Sequence, residues 1–181
     1  MTPDLNPMRW QERLPERGGG YRPWLLDRGS LTRRIQQRCA AFSVRHVRQR
    51  QVRTASAKGG PAEIRQPMRA LLREVFLYCG DTPVVYACSV LPLHSLHDDW
   101  QGLGRLGNKP LGEALFGNPR VRRAPLCFKK LSPRHELHRR ASSLLPNAPS
   151  CLWARRSIFF LHRRPILVTE VFLPGILELA A

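Results

Sequence analysis

A chain of 181 residues that is 43% hydrophobic, with four Trp, seven Phe and three Tyr, has enough apolar mass for one domain with a sizeable core and too much for a disordered chain. No stretch approaches the roughly 20 consecutive apolar residues of a membrane span, and the N-terminus, MTPDLNPMRWQER, lacks the apolar run of a secretory signal. The net charge is +17 and sits on the flanks: residues 1–69 hold fifteen basic and five acidic residues, 70–118 three and five, 119–181 twelve and three, a field that draws anions from small acids to nucleic acid.

Residues 1–23, containing ERGGG, read as a mobile arm ahead of a domain over 24–181. WLLDRGSLTRRIQQR (24–38) predicts a turn and then a helix, with Ser30 as N-cap because its hydroxyl can accept from an orphan backbone N–H. FSVRHVRQRQV (42–52) alternates as a strand. TASAKGGPAE (54–63) is a Gly/Pro-punctuated loop. ALLREVFLYC (70–79), the turn GDTP and VVYACSVLPL (84–93) predict an antiparallel hairpin. NKPLGEALFG (108–117) reads as a short helix, with Pro110 in its first turn and Gly117 at its stop. PLCFKKL (125–131) is a further strand. SPRHELHRRASSLLPNAPS (132–150) is polar and Pro-rich and reads as a surface excursion. SCLWARRSIFFLHRRPILVTEVFLP (150–174) predicts two strands around a tight turn at HRRP. Hairpins with few helices point to an α+β domain built on an antiparallel sheet.

Two charges stand out on those strands. Glu170 shares its face with Ile166, Val168 and Phe172, and Arg73 shares its face with Leu71, Val75 and Leu77. A charge among apolar neighbours needs a partner. Either the two pair with each other, or a strand is a wet edge, or a small polar-ended ligand lies between them. Periodicity alone leaves the three open.

The five cysteines (Cys39, Cys79, Cys88, Cys127, Cys151) form no C-x-x-C pair. They read as reduced thiols in a cytoplasmic protein, without disulfides and without zinc. His94/His97 and His135/His138 are spaced i,i+3 without a third ligand, so they read as surface histidines and no metal is expected. Ser30 has no His/Asp partner to make it a nucleophile. Cys79 and Cys88 lie in apolar strands, where thiols are inert. Gly18–Gly20 lack the G-K-[ST] ending of a phosphate loop.

RGSLTRRI, LLREVFLYCGDTPVVYA, SVLPL, LGNKPLGEALF, LWARRS and LVTEVFLP, in this order, resemble the chorismate pyruvate-lyase family over about residues 24–117 and 151–174. The resemblance implies a single α+β domain, an antiparallel sheet with helical flaps over a buried site. It implies a cofactor-free, cytoplasmic carbon–oxygen lyase that removes pyruvate from chorismate to leave 4-hydroxybenzoate, the first committed step toward ubiquinone. It implies Arg73 on the substrate carboxylate, Glu170 at the other end of the ring, and flap contacts from Leu31 and Leu111. It further implies a monomer with small-molecule partners only, neither nucleic acid nor a membrane.

Where the family pattern has a small residue followed by arginine, this chain has Ala87 and Cys88, so a basic contact near the site is either missing or supplied elsewhere, with Arg155 and Arg156 as candidates. Residues 118–150 match the pattern poorly. Two other classes compete: a non-catalytic effector-binding domain of the same fold, for which no helix-turn-helix module fits before Trp24, and a basic nucleic-acid-binding protein, for which no recognition motif is visible.

Overall fold

The structure is a computed structural model that describes residues 10–14, 18–54, 67–97 and 100–179. Helices α1 (Arg22–Leu26) and α2 (Leu31–Gln36) lead into strands β1 (Phe42–Arg53), β2 (Arg69–Cys79) and β3 (Thr82–Pro92). Helices α3 (Leu93–His97) and α4 (Leu111–Phe116) follow, then β4 (Arg122–Arg123), β5 (Cys127–Leu131), helix α5 (Glu136–Ala141), β6 (Leu152–Leu161) and β7 (Arg164–Phe172). One antiparallel sheet runs β1-β2-β3-β7-β6, with β4 and β5 sharing the far edge of β6. The expected α+β class therefore holds.

Local chemistry sets these elements. Ser30 caps α2, its hydroxyl accepting from the Arg33 N–H at 3.3 Å. Gly80 takes a positive φ of 56° in the β2–β3 turn, a conformation costly for a side-chain-bearing residue. In the β6–β7 turn His162 and Arg163 both have positive φ, the twist that suits a two-residue hairpin. Pro110 stands as the N-cap of α4, one position ahead of the first turn, because its fixed φ of −66° suits the approach to a helix.

The strand registers place every residue on a face. On the front, one row across β2, β3, β7 and β6 reads Arg73, Ser89, Val168, Ser157, and the next reads Val75, Ala87, Glu170, Arg155. Beyond that lies an apolar row, Leu77, Val85, Phe172 and Trp153. Two apolar clusters cover the ends of this face. Trp24, Leu25, Leu31 and Ile35 pack over Val75, Leu77 and Phe172. Trp100, Leu103, Leu111 and Leu115 pack over Leu91, Phe159 and Ile166. The polar rows lie between them. On the back, Leu72, Phe76, Val90 and Val171 form a third cluster with Leu137 and Ala141.

Several expectations change. Part of the stretch read as an arm is docked: Trp10 is buried, and Gln11 exchanges backbone hydrogen bonds of 2.9 and 2.7 Å with Phe128, adding a bridge to β5. Residues 1–9 and 15–17 lie outside the described residues, as does nearly all of the predicted 54–63 loop. The supposed excursion 132–150 contains α5, which buries Leu137, His138 and Ala141 against the sheet; its apolar residues are too few for a visible period yet fall on one face. His138 is thus a buried residue, bonded to the Pro149 carbonyl at 2.8 Å, while His135 caps α5 through the Leu137 N–H. His94 and His97 are exposed. Cys39 and Cys79 form a disulfide, against the reading of five reduced thiols: the helix and the strand bring Cα atoms 40 residues apart to 5.8 Å, a proximity that spacing does not encode.

Candidate active site

The polar rows of the front face form the floor of a cavity roofed by α2 and α4. Arg73, Glu170, Leu31 and Leu111 all line it, together with Ser89 and Thr32. The four residues expected at the site are therefore brought together. The cavity is narrow, leaving about 40 Å³ open to the centre of a water molecule, and the two helices cover it.

The roof closes where the first turns of α2 and α4 meet. A side chain at Gly112 would bring its Cβ to 3.1 Å from the Thr32 hydroxyl and 3.3 Å from that of Ser30, so only glycine permits this approach without displacement. Leu31 and Leu111 are both buried at this seam.

Arg73 is 2% exposed. Its Nη2 donates to the carbonyls of Gly107 and Lys109, both at 3.0 Å, in the stem that leads into α4. Its Nε is buried without a hydrogen-bond partner. Burial lowers its pKa, since removing a cation from water disfavours the charged form. Among the described residues no carboxylate pairs with it, although a buried cation calls for one.

Glu170 is held differently. Arg155 stands directly opposite on β6 and its Nε donates to Oε2 at 2.5 Å. Arg155 is wholly buried, and its Nη1 also donates to the carbonyls of Trp24 in α1 at 2.8 Å and of Asp27, in the stem that leads into α2, at 2.6 Å. Arg123, its pKa pushed down to about 10 by burial, adds positive charge near Glu170 and donates to the carbonyl of Arg28 at 3.1 Å in the same stem.

Two of the three possibilities for the paired charges fall away. Arg73 and Glu170 stand one row and two strands apart, about 12 Å between backbone positions, and each has other partners. Neither β2 nor β7 is an edge strand. The arrangement left is a cation and a carboxylate at opposite ends of a roofed, mostly apolar cavity.

Of the two arginines considered as replacements for a missing basic contact, only Arg155 is on this face. Cys88 and Arg156 point to the back, where Cys88 pairs across the ladder with Glu74, and Arg156 lies over Trp10. Cysteine at this position thus removes no charge from the site. Its thiol is inert, pushed up to about 12 by burial. Ser89, Thr32 and Gly112 escaped the sequence reading; Ser89 alone left a signal, as the polar residue that shares a face with Ala87 in an otherwise apolar strand. Among the described residues no group of three metal-ligating side chains occurs.

The chain is similar to proteins of known family. It is 51% identical over 156 residues to "Probable chorismate pyruvate-lyase" of Nitrosomonas europaea, covering 86% of this chain and 88% of that one. It is 52% identical over 160 residues to the protein of the same name from Nitrosospira multiformis, covering 88% and 89%. Among solved structures, the effector domain of PhnF from Mycobacterium smegmatis shares the fold at 14% identity, with a TM-score of 0.58 over 83% of this chain and 91% of that domain. The family model for chorismate lyase matches residues 17–180, which takes in the sheet, both roofing helices and the two charged ends of the cavity; the chain belongs to the chorismate lyase family.

Proposed function

We propose that the protein removes pyruvate from chorismate to give 4-hydroxybenzoate, without a cofactor, in the cavity between Arg73 and Glu170. The observation that carries this reading is a buried guanidinium without a carboxylate partner at one end of a roofed apolar cavity and a carboxylate at the other. Chorismate has a ring carboxylate at one end and a hydroxyl at the far ring carbon, beside the enolpyruvyl ether. Arg73 takes the ring carboxylate with the N–H groups that its two carbonyl contacts leave over. Glu170 accepts from the hydroxyl or takes the ring proton as the carbon–oxygen bond breaks. Loss of that proton and of enolpyruvate makes the ring aromatic, which drives the reaction, so the protein mainly orients the substrate and excludes water. Leu31 and Leu111 supply the apolar roof over the ring.

We assign the basic flanks to steering this small dianion rather than to holding nucleic acid. We propose a monomer as the unit of function, since Arg73, Glu170, Leu31 and Leu111 already line one cavity within a single chain. Its place is the cytoplasm, because a dianion does not cross a bilayer unaided.

Incubation of the protein with chorismate and no additive should release equimolar pyruvate and 4-hydroxybenzoate; binding without turnover would instead make it an effector domain. Glu170→Gln then tests the proton role. Gln keeps the shape and one acceptor but is no useful base, so kcat should fall about 10²–10⁴-fold. A variant within about threefold of the parent, near 0.65 kcal/mol of barrier, would leave Glu170 an orienting role only.

A further inference from the structure

We propose that Arg155 is a positioning residue that couples the orientation of Glu170 to closure of the α2 roof. The inference rests on the lyase reading for its kinetic arm and on geometry alone for its structural arm.

One guanidinium spans two parts of the molecule. Nε is committed to the Glu170 carboxylate, and Nη1 to the carbonyls of Trp24 and Asp27. Trp24 is in α1 and Asp27 in the stem between α1 and α2, and this stem leads to Leu31 and Thr32, which roof the cavity. The stem continues the chain of contacts: the Asp27 carboxylate pairs with Arg34 of α2 at 2.8 Å, and Arg34 also donates to the Pro23 carbonyl at 2.7 Å. A continuous path therefore runs from the reacting carboxylate through Arg155 and Asp27 into the roofing helix.

Guanidinium is planar, so its donors move as one body. With the stem docked, Nη1 is fixed on two carbonyls, and Nε then has one direction, toward Oε2 of Glu170. When the stem lifts, Nη1 loses its acceptors and the guanidinium gains freedom to turn, and Glu170 with it. A brace with no further role would be fully hydrogen-bonded, but Nη2 of Arg155 is buried without a partner among the described residues. The opposite end of the cavity repeats the arrangement: Arg73 holds the carbonyls of Gly107 and Lys109 in the α4 stem. Each roofing helix is thus tied by a sheet arginine to one pole of the cavity. At Arg73 the arginine is itself the pole; at Arg155 it holds the pole, Glu170, in place.

Three variants test this. Arg155→Met keeps the length and loses both sets of contacts. Arg155→Lys restores a charge for Glu170 but cannot also fork to the stem. Glu170→Gln supplies the background in which Arg155 has nothing to position. Arg155→Met should lower kcat at least tenfold in the parent and less than about threefold in the Glu170→Gln background, since groups acting through one another are not additive. Arg155→Lys should recover most of kcat while 4-hydroxybenzoate still dissociates several-fold faster than from the parent. Coupling is reciprocal, so Glu170→Gln, which changes nothing in the stem, should speed amide hydrogen exchange over residues 24–36 and leave β2 unchanged. An equal kcat loss from Arg155→Met in both backgrounds would overturn the proposal, as would unchanged exchange over 24–36. The exchange arm needs no chemistry, so it decides even if chorismate were not the substrate, an error that would show as a parent protein releasing no pyruvate.

Discussion

Arg73 and Glu74 are neighbours in the chain and point to opposite faces of the same sheet, and the two faces treat their charges in opposite ways. On the back, Glu74 accepts from the Tyr86 hydroxyl and pairs with Arg140, which also reaches Glu136 at 2.6 Å; Arg50 stands 3.8 Å from its second oxygen. The charge is answered within the protein, and the network ties α5 to β2. On the front, Arg73 has two carbonyls and no carboxylate. The back-face charge is structural cement, whereas the front-face charge is left for an anion from outside. Burial alone does not separate them, since both residues are buried; the difference lies in whether the fold supplies the counter-charge.

The widest separation should appear on breaking the back face. Glu74→Ala takes the acceptor from the buried Tyr86 hydroxyl and leaves Arg140 with Glu136 alone, and it should cost about 3–5 kcal/mol in a urea titration, with 4-hydroxybenzoate affinity of the folded protein unchanged. The pH dependence has a definite sign. Although burial opposes it, hydrogen bonds from Tyr86 and Arg140 and the charges of Arg140 and Arg50 hold the folded Glu74 carboxyl below its ordinary value of 4.5. Its stabilisation is therefore present above the unfolded pKa and lost as pH falls through the folded one. Parent and Glu74→Gln stabilities should converge below about pH 4.5. Arg73→Ala is the mirror experiment. It should weaken chorismate and 4-hydroxybenzoate together by about 2–5 kcal/mol, read by equilibrium titration, while stability changes little because a desolvated cation without a counter-ion leaves with it. Unchanged product affinity in folded Arg73→Ala would remove the distinction between the faces.

The sequence makes the poles of the site legible but not their wiring. The two-residue period of a strand puts Arg73 and Glu170 on apolar faces, and apolar runs between turn residues mark β2, β3, β6 and β7, because strand burial is a local pattern. It does not say that Arg155 lies opposite Glu170, since register across the β6–β7 hairpin depends on which two residues form the turn, and HRRP offers more than one choice. Nor can it show that Cys88 faces away from the site: the face of a strand is fixed relative to its own residues, and only pairing relates it to Arg73. The Cys39–Cys79 bridge and the packed α5 fail for the same reason, each being a contact between segments that carry no mark of one another. Residues 118–150 show that weak local pattern is not lack of structure, because Leu137 and Ala141 need little more than one helical turn of sequence to reach the core.

The disulfide sharpens the contrast between the faces further. It joins Cys39, just after α2, to Cys79 at the end of β2, and so belongs to the front-face roof. Closing a loop of this length should contribute about 2–4 kcal/mol. Reduction by dithiothreitol should lower the urea midpoint of the parent and leave Cys39→Ser/Cys79→Ser unaffected. An unchanged midpoint in the parent would show that the bridge does not restrain the unfolded chain.

The smallest change tests the roof seam itself. Leu31→Ala is a blunt probe, since Leu31 is 3% exposed and belongs to the front cluster, so truncation costs about 2–5 kcal/mol of packing whatever its effect on the ligand. Gly112→Ala adds a methyl instead. Its Cβ would meet the Thr32 and Ser30 hydroxyls at 3.1 and 3.3 Å, so α2 and α4 must part by a few tenths of an ångström. Alanine also favours the helix by up to about 1 kcal/mol over glycine, which offsets part of that strain, and the net stability change should be under about 1 kcal/mol. Release of 4-hydroxybenzoate requires the same parting to go further, so a roof already ajar starts nearer the open state. Stopped-flow dissociation from Gly112→Ala should therefore be several-fold faster than from the parent, while Ala substitution at exposed Glu178, remote from the seam, should leave the rate as it was. An unchanged rate with Gly112→Ala would mean that the ligand leaves by another route and that the α2–α4 seam is packing rather than a gate.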